Sequence, residues 1–211
     1  AKISTAEESI FCRMIHYRMA LQYAPDDGEA WLYLGMALRE CAKMNMQMNM
    51  TVNNVNSSPS SSSLLSLSPL KMMELSVSCL EQAYIFNPQD GRLCSNLSLA
   101  YETLLTMTST IHAGSDDDDD YHEQIDFYYR RAMRLHEECE RIGCDVSFDY
   151  AIATLNYGLY KSNQDNFKDA VSILQRFRQS EKTVKFSKNP EQDRIEADGL
   201  KLLEFCERMM E

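Results

Sequence analysis

The stretch that decides the fold is Ala30-Trp31-Leu32-Tyr33-Leu34-Gly35-Met36-Ala37-Leu38. Trp31, Leu34 and Leu38 recur at the spacing of one helix face. Gly35 lies beside this face, where a small residue allows a second helix to pack closely. The stretch therefore predicts the first member of a closely packed helix pair.

The same pattern returns along the chain at a period of about 34 residues when two insertions within the repeats are left out of the count. The small position of each first helix falls in turn on Gly35, Ser98 and Gly158. Each second helix should carry a bulky residue followed, on the same face, by a small one. The pairs at these places are Tyr17 and Ala20, Leu80 and Ala83, Tyr129 and Ala132, and Leu174 and Phe177, the last of which lacks the small residue. Pro25 and Pro88 follow the first two pairs, where a helix should end.

These residues resemble the tetratricopeptide-repeat family over roughly 150 residues of the chain. The match is strongest around Trp31, good around Tyr101 and weaker around Gly158. The resemblance implies an all-α fold, a right-handed α-solenoid of antiparallel helix pairs. It would hold about three repeats, an N-terminal half repeat and a C-terminal capping helix. Its concave groove would be lined mainly by the first helix of each pair.

The domain layout predicted from this pattern is one helical domain over 1–211 with two flexible insertions. Helices are expected at about 4–23, 29–42, 121–141 and 190–210. The insertions are expected at about 45–69, which is rich in Met, Asn and Ser, and at about 107–121, which holds the acidic run 116–120. Ser68 and Pro69 should cap the helix that follows the first insertion.

Composition narrows the class of partner. The formal net charge of −11 argues against nucleic acid, whose phosphates would be repelled. No apolar run is long enough for a membrane span, so membrane insertion is not expected. The seven cysteines include no Cys-x-x-Cys pair and mostly fall at apolar helix positions. They predict free thiols in a reducing, most simply cytoplasmic, compartment, although a nucleus or an organelle would also fit.

The candidate binding residues come from the resemblance. In the family, an asparagine on the groove side of a first helix often hydrogen-bonds a peptide backbone, and Asn96 and Asn156 stand at that place, with Tyr33 at the equivalent one. The alternative is that both amides are merely solvated. One family subgroup clamps the C-terminal carboxylate of chaperones with cationic side chains and asparagines. This chain has Leu32, Met36, Ile152 and Asn156 at four of those places. Without the cations the carboxylate would lose its charge-assisted bonds, so chaperone tails are not expected to bind. An apolar groove for a peptide or a partner helix is expected instead.

No catalytic residue, cofactor or metal ligand set is predicted. The chain lacks a Gly-rich phosphate loop, a Gly-x-Ser-x-Gly elbow and a His-Glu-x-x-His helix. His136, Cys139 and Cys144 are close in sequence, but an exposed histidine beside core cysteines is the simpler interpretation. The sequence thus predicts a non-catalytic scaffold or adaptor for a protein or peptide. The alternatives are a structural subunit of a large assembly, which would use the convex face and the insertions, and a regulatory fragment of a larger enzyme.

Overall fold

The fold is all-α in the part of the chain that the structure describes, as predicted. The computed structural model describes residues 5–52, 67–109, 117–142, 147–180 and 190–210. Within them are eight helices: α1 (Thr5–Tyr23), α2 (Gly28–Val52), α3 (Pro69–Phe86), α4 (Gly91–Ser109), α5 (Asp117–Arg141), α6 (Ser147–Asn163), α7 (Phe167–Ser180) and α8 (Pro190–Met209). The chain divides into two compact units, Ala1–Tyr128 and Tyr129–Glu211, so the boundary falls within α5.

Short polar side chains set the beginnings of several helices. The Oγ of Ser68 accepts a hydrogen bond of 3.2 Å from the Lys71 amide, and Pro69 occupies the first turn of α3, which confirms the predicted cap. Asp27 does the same at α2, where its Oδ1 accepts from the Ala30 amide at 3.0 Å. Each cap satisfies an amide that has no partner within its own helix.

Two predicted helix boundaries were wrong. The helix expected to end near residue 42 continues to Val52. Methionine and glutamine are good helix formers, and the Nδ2 of Asn45 donates to the sulfur of buried Met72, so α2 still contacts α3 at Asn45. The helix expected from residue 121 begins at Asp117, because carboxylates are stabilised at a helix N-terminus. Of the two predicted insertions, residues 53–66 and 110–116 lie outside the described residues.

In the first unit, each helix from α1 to α4 packs against the next one along the chain. The rings of Tyr17 and Tyr33 stack with centroids 5.4 Å apart, which joins α1 to α2. The side chain of Leu80 on α3 covers Gly35, and the Oγ of Ser76 donates to the Gly35 carbonyl oxygen at 2.6 Å. A β-carbon at Gly35 would lie 2.7 Å from the Cγ of Leu80, so only glycine fits this contact without a shift.

The second unit repeats this contact with different residues. A β-carbon at Gly158 on α6 would lie 2.7 Å from the Cγ of Leu174 on α7. Leu174 belongs to a buried cluster that also includes residues of α7 and α8, namely Ala170, Val171, Leu203 and Cys206. The ring of Tyr129 stacks on that of Tyr157 at 5.1 Å, which packs α5 against α6. The two glycine–leucine pairs are those that the repeat spacing makes equivalent.

None of the cysteines in the described ranges forms a disulfide. Cys41, Cys79, Cys94 and Cys206 are buried, whereas Cys12 is exposed. Burial raises the pKa of the Cys79 thiol to about 11. Cys144 lies outside the described residues.

A cluster of tyrosines in the first unit links α3, α4 and the start of α5. Tyr101 donates from its hydroxyl to the carboxylate of Glu81 at 2.6 Å, and its ring stacks on that of Tyr128 at 5.9 Å. Burial, followed by the Glu81 charge, raises the pKa of Tyr128 to about 12, and burial with the same carboxylate also raises the pKa of Tyr101. The fold therefore favours both phenols in their neutral form.

This cluster predicts that the first unit loses stability at alkaline pH. Because the folded pKa is raised, the stabilisation is complete below the unfolded value of about 10 and is lost as pH rises towards the folded value. Tyr128 alone should contribute a fall of about 1.4 kcal/mol per pH unit in that window. Urea unfolding at a series of pH values tests this. Tyr128→Phe should make the decline shallower, whereas Tyr23→Phe, at a side chain that is 85% exposed, should leave it unchanged.

Candidate functional site

In the first unit, α2 and α4 are in contact along one side of each helix. The guanidinium of Arg39 on α2 spans to α4: Nη1 donates to the backbone oxygen of Asn96 at 3.1 Å, and Nη2 donates to its side-chain Oδ1 at 3.0 Å. Nearer the start of both helices, Glu29 and Arg92 form an ion pair of 3.7 Å. Side chains from both helices therefore form one surface.

The predicted residues of α2 differ in how much surface they offer. Leu32 is only 3% exposed and belongs to the core, so it presents almost nothing to a partner. Tyr33 is partly buried, with one ring face stacked on Tyr17. Met36 is also partly buried and lies on the same helix face as Leu32. Tyr33 and Met36 are thus the predicted residues of α2 that can contact a ligand.

Asn96 already has intramolecular partners for both ends of its amide. Its Nδ2 donates to the Arg92 carbonyl oxygen at 2.9 Å, one turn back in α4, while its Oδ1 accepts from Arg39. An incoming peptide backbone would have to exchange these bonds for its own. Sequence reasoning missed Arg39, although it lies one helical turn beyond Met36 on the same face.

A cleft of about 280 Å³ continues this surface towards the ends of α2 and α4. The residues that line it are Lys43, Met46, Leu99, Glu102, Thr103, Thr106 and Met107. Burial and the neighbouring Arg39 charge lower the pKa of Lys43, whereas the Glu102 and Glu40 carboxylates act in the opposite direction. The lining of this cleft is therefore mixed in character, with apolar side chains between opposite charges.

The other two predicted residues, Ile152 and Asn156, belong to the second unit. They lie one turn apart on α6, and both are partly buried. No hydrogen bond joins the side-chain amide of Asn156 to another residue in the described ranges. The six predicted residues are therefore divided between the units, with Leu32, Tyr33, Met36 and Asn96 in the first.

The structure also describes His136, the histidine that was considered as a metal ligand. His136 is buried, not exposed as predicted, and its ring lies 6.3 Å from that of Tyr150. Among the described residues, no group of three or more His, Cys, Asp or Glu side chains is placed to hold a metal ion. None of the helices seen in the described ranges is both long and apolar enough to cross a membrane.

The chain matches no known family model, and it matches no curated protein sequence either.

Proposed function

We propose that this chain is a tetratricopeptide-like scaffold that binds a peptide or a partner helix on the α2–α4 surface. The observation that carries the proposal is the side-by-side placement of these two helices, with Tyr33 and Met36 partly exposed and an open cleft beside them. Two parallel helix faces with a groove between them offer an elongated ligand contacts along its length.

The repeat architecture is supported by packing that recurs. A β-carbon added at Gly35 would lie 2.7 Å from the Cγ of Leu80, and one added at Gly158 would lie 2.7 Å from the Cγ of Leu174. The two places are equivalent in a repeat of about 34 residues when the predicted insertions are left out. Ser98, at the third equivalent place, is fully buried. A right-handed α-solenoid would reuse one such contact in each repeat.

The chemistry of the surface favours a ligand with both apolar side chains and hydrogen-bonding groups. Met36 and Tyr33 offer an adaptable thioether and an aromatic ring. Arg39 and Asn96 offer a guanidinium and an amide that can exchange their mutual bonds for bonds to a peptide. A peptide that contacts the apolar pair and hydrogen-bonds the polar pair would bind here. It would not need the cationic side chains with which the chaperone-binding subgroup holds a free carboxylate.

A second candidate function, a structural subunit of a larger assembly, is favoured by a different surface. Ile15, Met19 and Tyr23 recur one turn apart on α1, and all three are exposed. An apolar stripe of this kind is typical of a face that a partner protein covers.

Three matched substitutions distinguish the two functions. Met36→Lys places a charge in the α2–α4 surface, Met19→Lys in the α1 stripe, and Met209→Lys at an exposed site on α8. The three variants are compared by quantitative affinity capture from native extract and by hydrogen exchange on the recovered complex. We expect Met36→Lys to reduce capture of a specific partner by about tenfold or more, because a buried interface charge costs well over 1 kcal/mol.

The controls decide the interpretation. Met209→Lys should retain the partner, which excludes a general effect of added charge. If Met19→Lys loses the partner and Met36→Lys retains it, binding on the α2–α4 surface is contradicted and the structural-subunit function is favoured. Exchange protection confined to residues outside α2 and α4 would also contradict the groove.

A further inference from the structure

The second unit contains a cleft that the proposed scaffold function does not use. It lies between the second half of α5 and α7, with Tyr157 of α6 at its base, and encloses about 580 Å³. Its floor is apolar, because Met133, Tyr157 and Ile173 are all buried. Its exposed wall carries three arginines, Arg130, Arg134 and Arg176.

The three guanidinium groups are held at the cleft by bonds to its own walls. Arg130 donates from Nε to the Tyr157 hydroxyl at 3.1 Å. Arg134, one turn further along α5, donates from Nε to the Arg130 carbonyl oxygen at 3.4 Å, which leaves its two terminal nitrogens as donors towards a ligand. Arg176 reaches the carboxylate of Glu137 through Nη1 at 3.4 Å, a long and exposed pair of little strength.

The two carboxylates in the cleft have structural partners of their own. Glu137 accepts from the Tyr150 hydroxyl at 3.1 Å as well as from Arg176. Asp169 lies in the first turn of α7, where it accepts from the Nδ2 of Asn166 at 3.0 Å and is stabilised by the helix dipole. The cleft is therefore lined by three arginines and by two carboxylates whose charge is partly satisfied. This local excess of positive charge occurs in a chain whose net charge is −11.

We infer that this cleft binds a phosphorylated side chain of a partner peptide, with an adjacent apolar residue of the peptide on the floor. A phosphate carries close to two negative charges and three acceptor oxygens, which suit several guanidinium groups better than a carboxylate does. The apolar floor favours a peptide over free phosphate, since an inorganic ion has nothing to bury there. In the proposed repeat arrangement α5 and α7 are both second helices, so this inference is independent of the α2–α4 surface.

Fluorescence polarisation with the full chain tests the inference. The probe is a fluorescein-labelled glycine–alanine peptide with a central phosphoserine followed by leucine, compared with the same peptide carrying serine or glutamate. We expect the phosphoserine peptide to bind at least about tenfold more tightly than the serine peptide. Arg134→Gln and Arg176→Gln should each weaken its binding by about tenfold.

Arg208→Gln is the matched control, because it removes the same charge as the cleft variants. Arg208 is exposed and belongs to the same unit, but it lies outside the cleft. This substitution should leave binding unchanged. Circular dichroism checks that each variant is folded, and the use of two cleft variants keeps the test valid if one is not. Equal binding of the serine or glutamate peptide, equal weakening by Arg208→Gln, or displacement by inorganic phosphate at the concentration of the peptide would each overturn the inference.

Discussion

Replacing Gly35 by leucine is expected to lower the free energy of unfolding of the first unit by about 3 kcal/mol or more. Even a β-carbon at this position would lie 2.7 Å from the Cγ and 2.9 Å from the Cδ2 of Leu80. It would also lie 3.1 Å from the Ser76 carbonyl oxygen, a backbone atom that cannot turn aside. Urea unfolding followed by circular dichroism measures the loss.

A double-mutant cycle separates the close contact from helix propensity. Alanine is about 1 kcal/mol more favourable than glycine inside a helix. In the wild-type background, Gly35→Ala should show little of that gain, because Leu80 must move. In a Leu80→Ala background only the Ser76 carbonyl oxygen remains close, so Gly35→Ala should be clearly more favourable there than in the wild-type background. If Gly35→Ala were equally stabilising in both backgrounds, the contact between α2 and α3 would not be as close as described.

The second large effect is expected in the second unit, where Leu174→Ala should cost about 3 kcal/mol. Leu174 is fully buried, it covers Gly158, and it belongs to the cluster that α8 completes through Leu203 and Cys206. Truncation would remove the contact with Gly158 and leave a cavity that rigid helices cannot close. Thermal and urea unfolding measure the loss.

Leu159→Ala provides the matched control. Leu159 is a leucine of α6 that is 43% exposed, so the same substitution there should change stability by less than about 1 kcal/mol. Similar losses at both positions would mean that Leu174 is not part of a closed core. A loss confined to Leu174 supports the packing of α7 between α6 and α8.

Much of the helix pairing could be predicted, because small residues at equal spacing carry information about close contacts. Gly35 and Gly158 were singled out by sequence spacing, and each meets the leucine that the same spacing indicates. The cap at Ser68 was also predictable, since it depends only on residues next to it in the chain. The C-terminal end of α2 and the start of α5 were missed. There, composition suggested flexibility, while helix propensity, the helix dipole and the contact of Asn45 with Met72 favoured more helix.

The candidate site was harder to predict, because its bonds join residues far apart in sequence. Arg39 and Asn96 are separated by 57 residues, and no local pattern links a guanidinium on one helix to an amide on another. The burial of Leu32 likewise depends on how α2 is rotated against its neighbours, which spacing alone sets only to within part of a turn. The arginine cleft of the second unit has the same origin, since α5 and α7 supply its cations from separate segments.

Because four of the cysteines are buried, the reactivity of their thiols reports whether the surrounding helices are folded. Only a thiolate reacts readily with alkylating agents, and burial holds the Cys79 thiol protonated far above neutral pH. The exposed Cys12 is open to the same reagents while the helices remain packed. Thiol labelling can therefore report local opening of the helices that carry a buried cysteine, which are α2, α3, α4 and α8. A partner that binds and stabilises one part of the chain would be located by the cysteines whose labelling it slows, even before that partner has been identified.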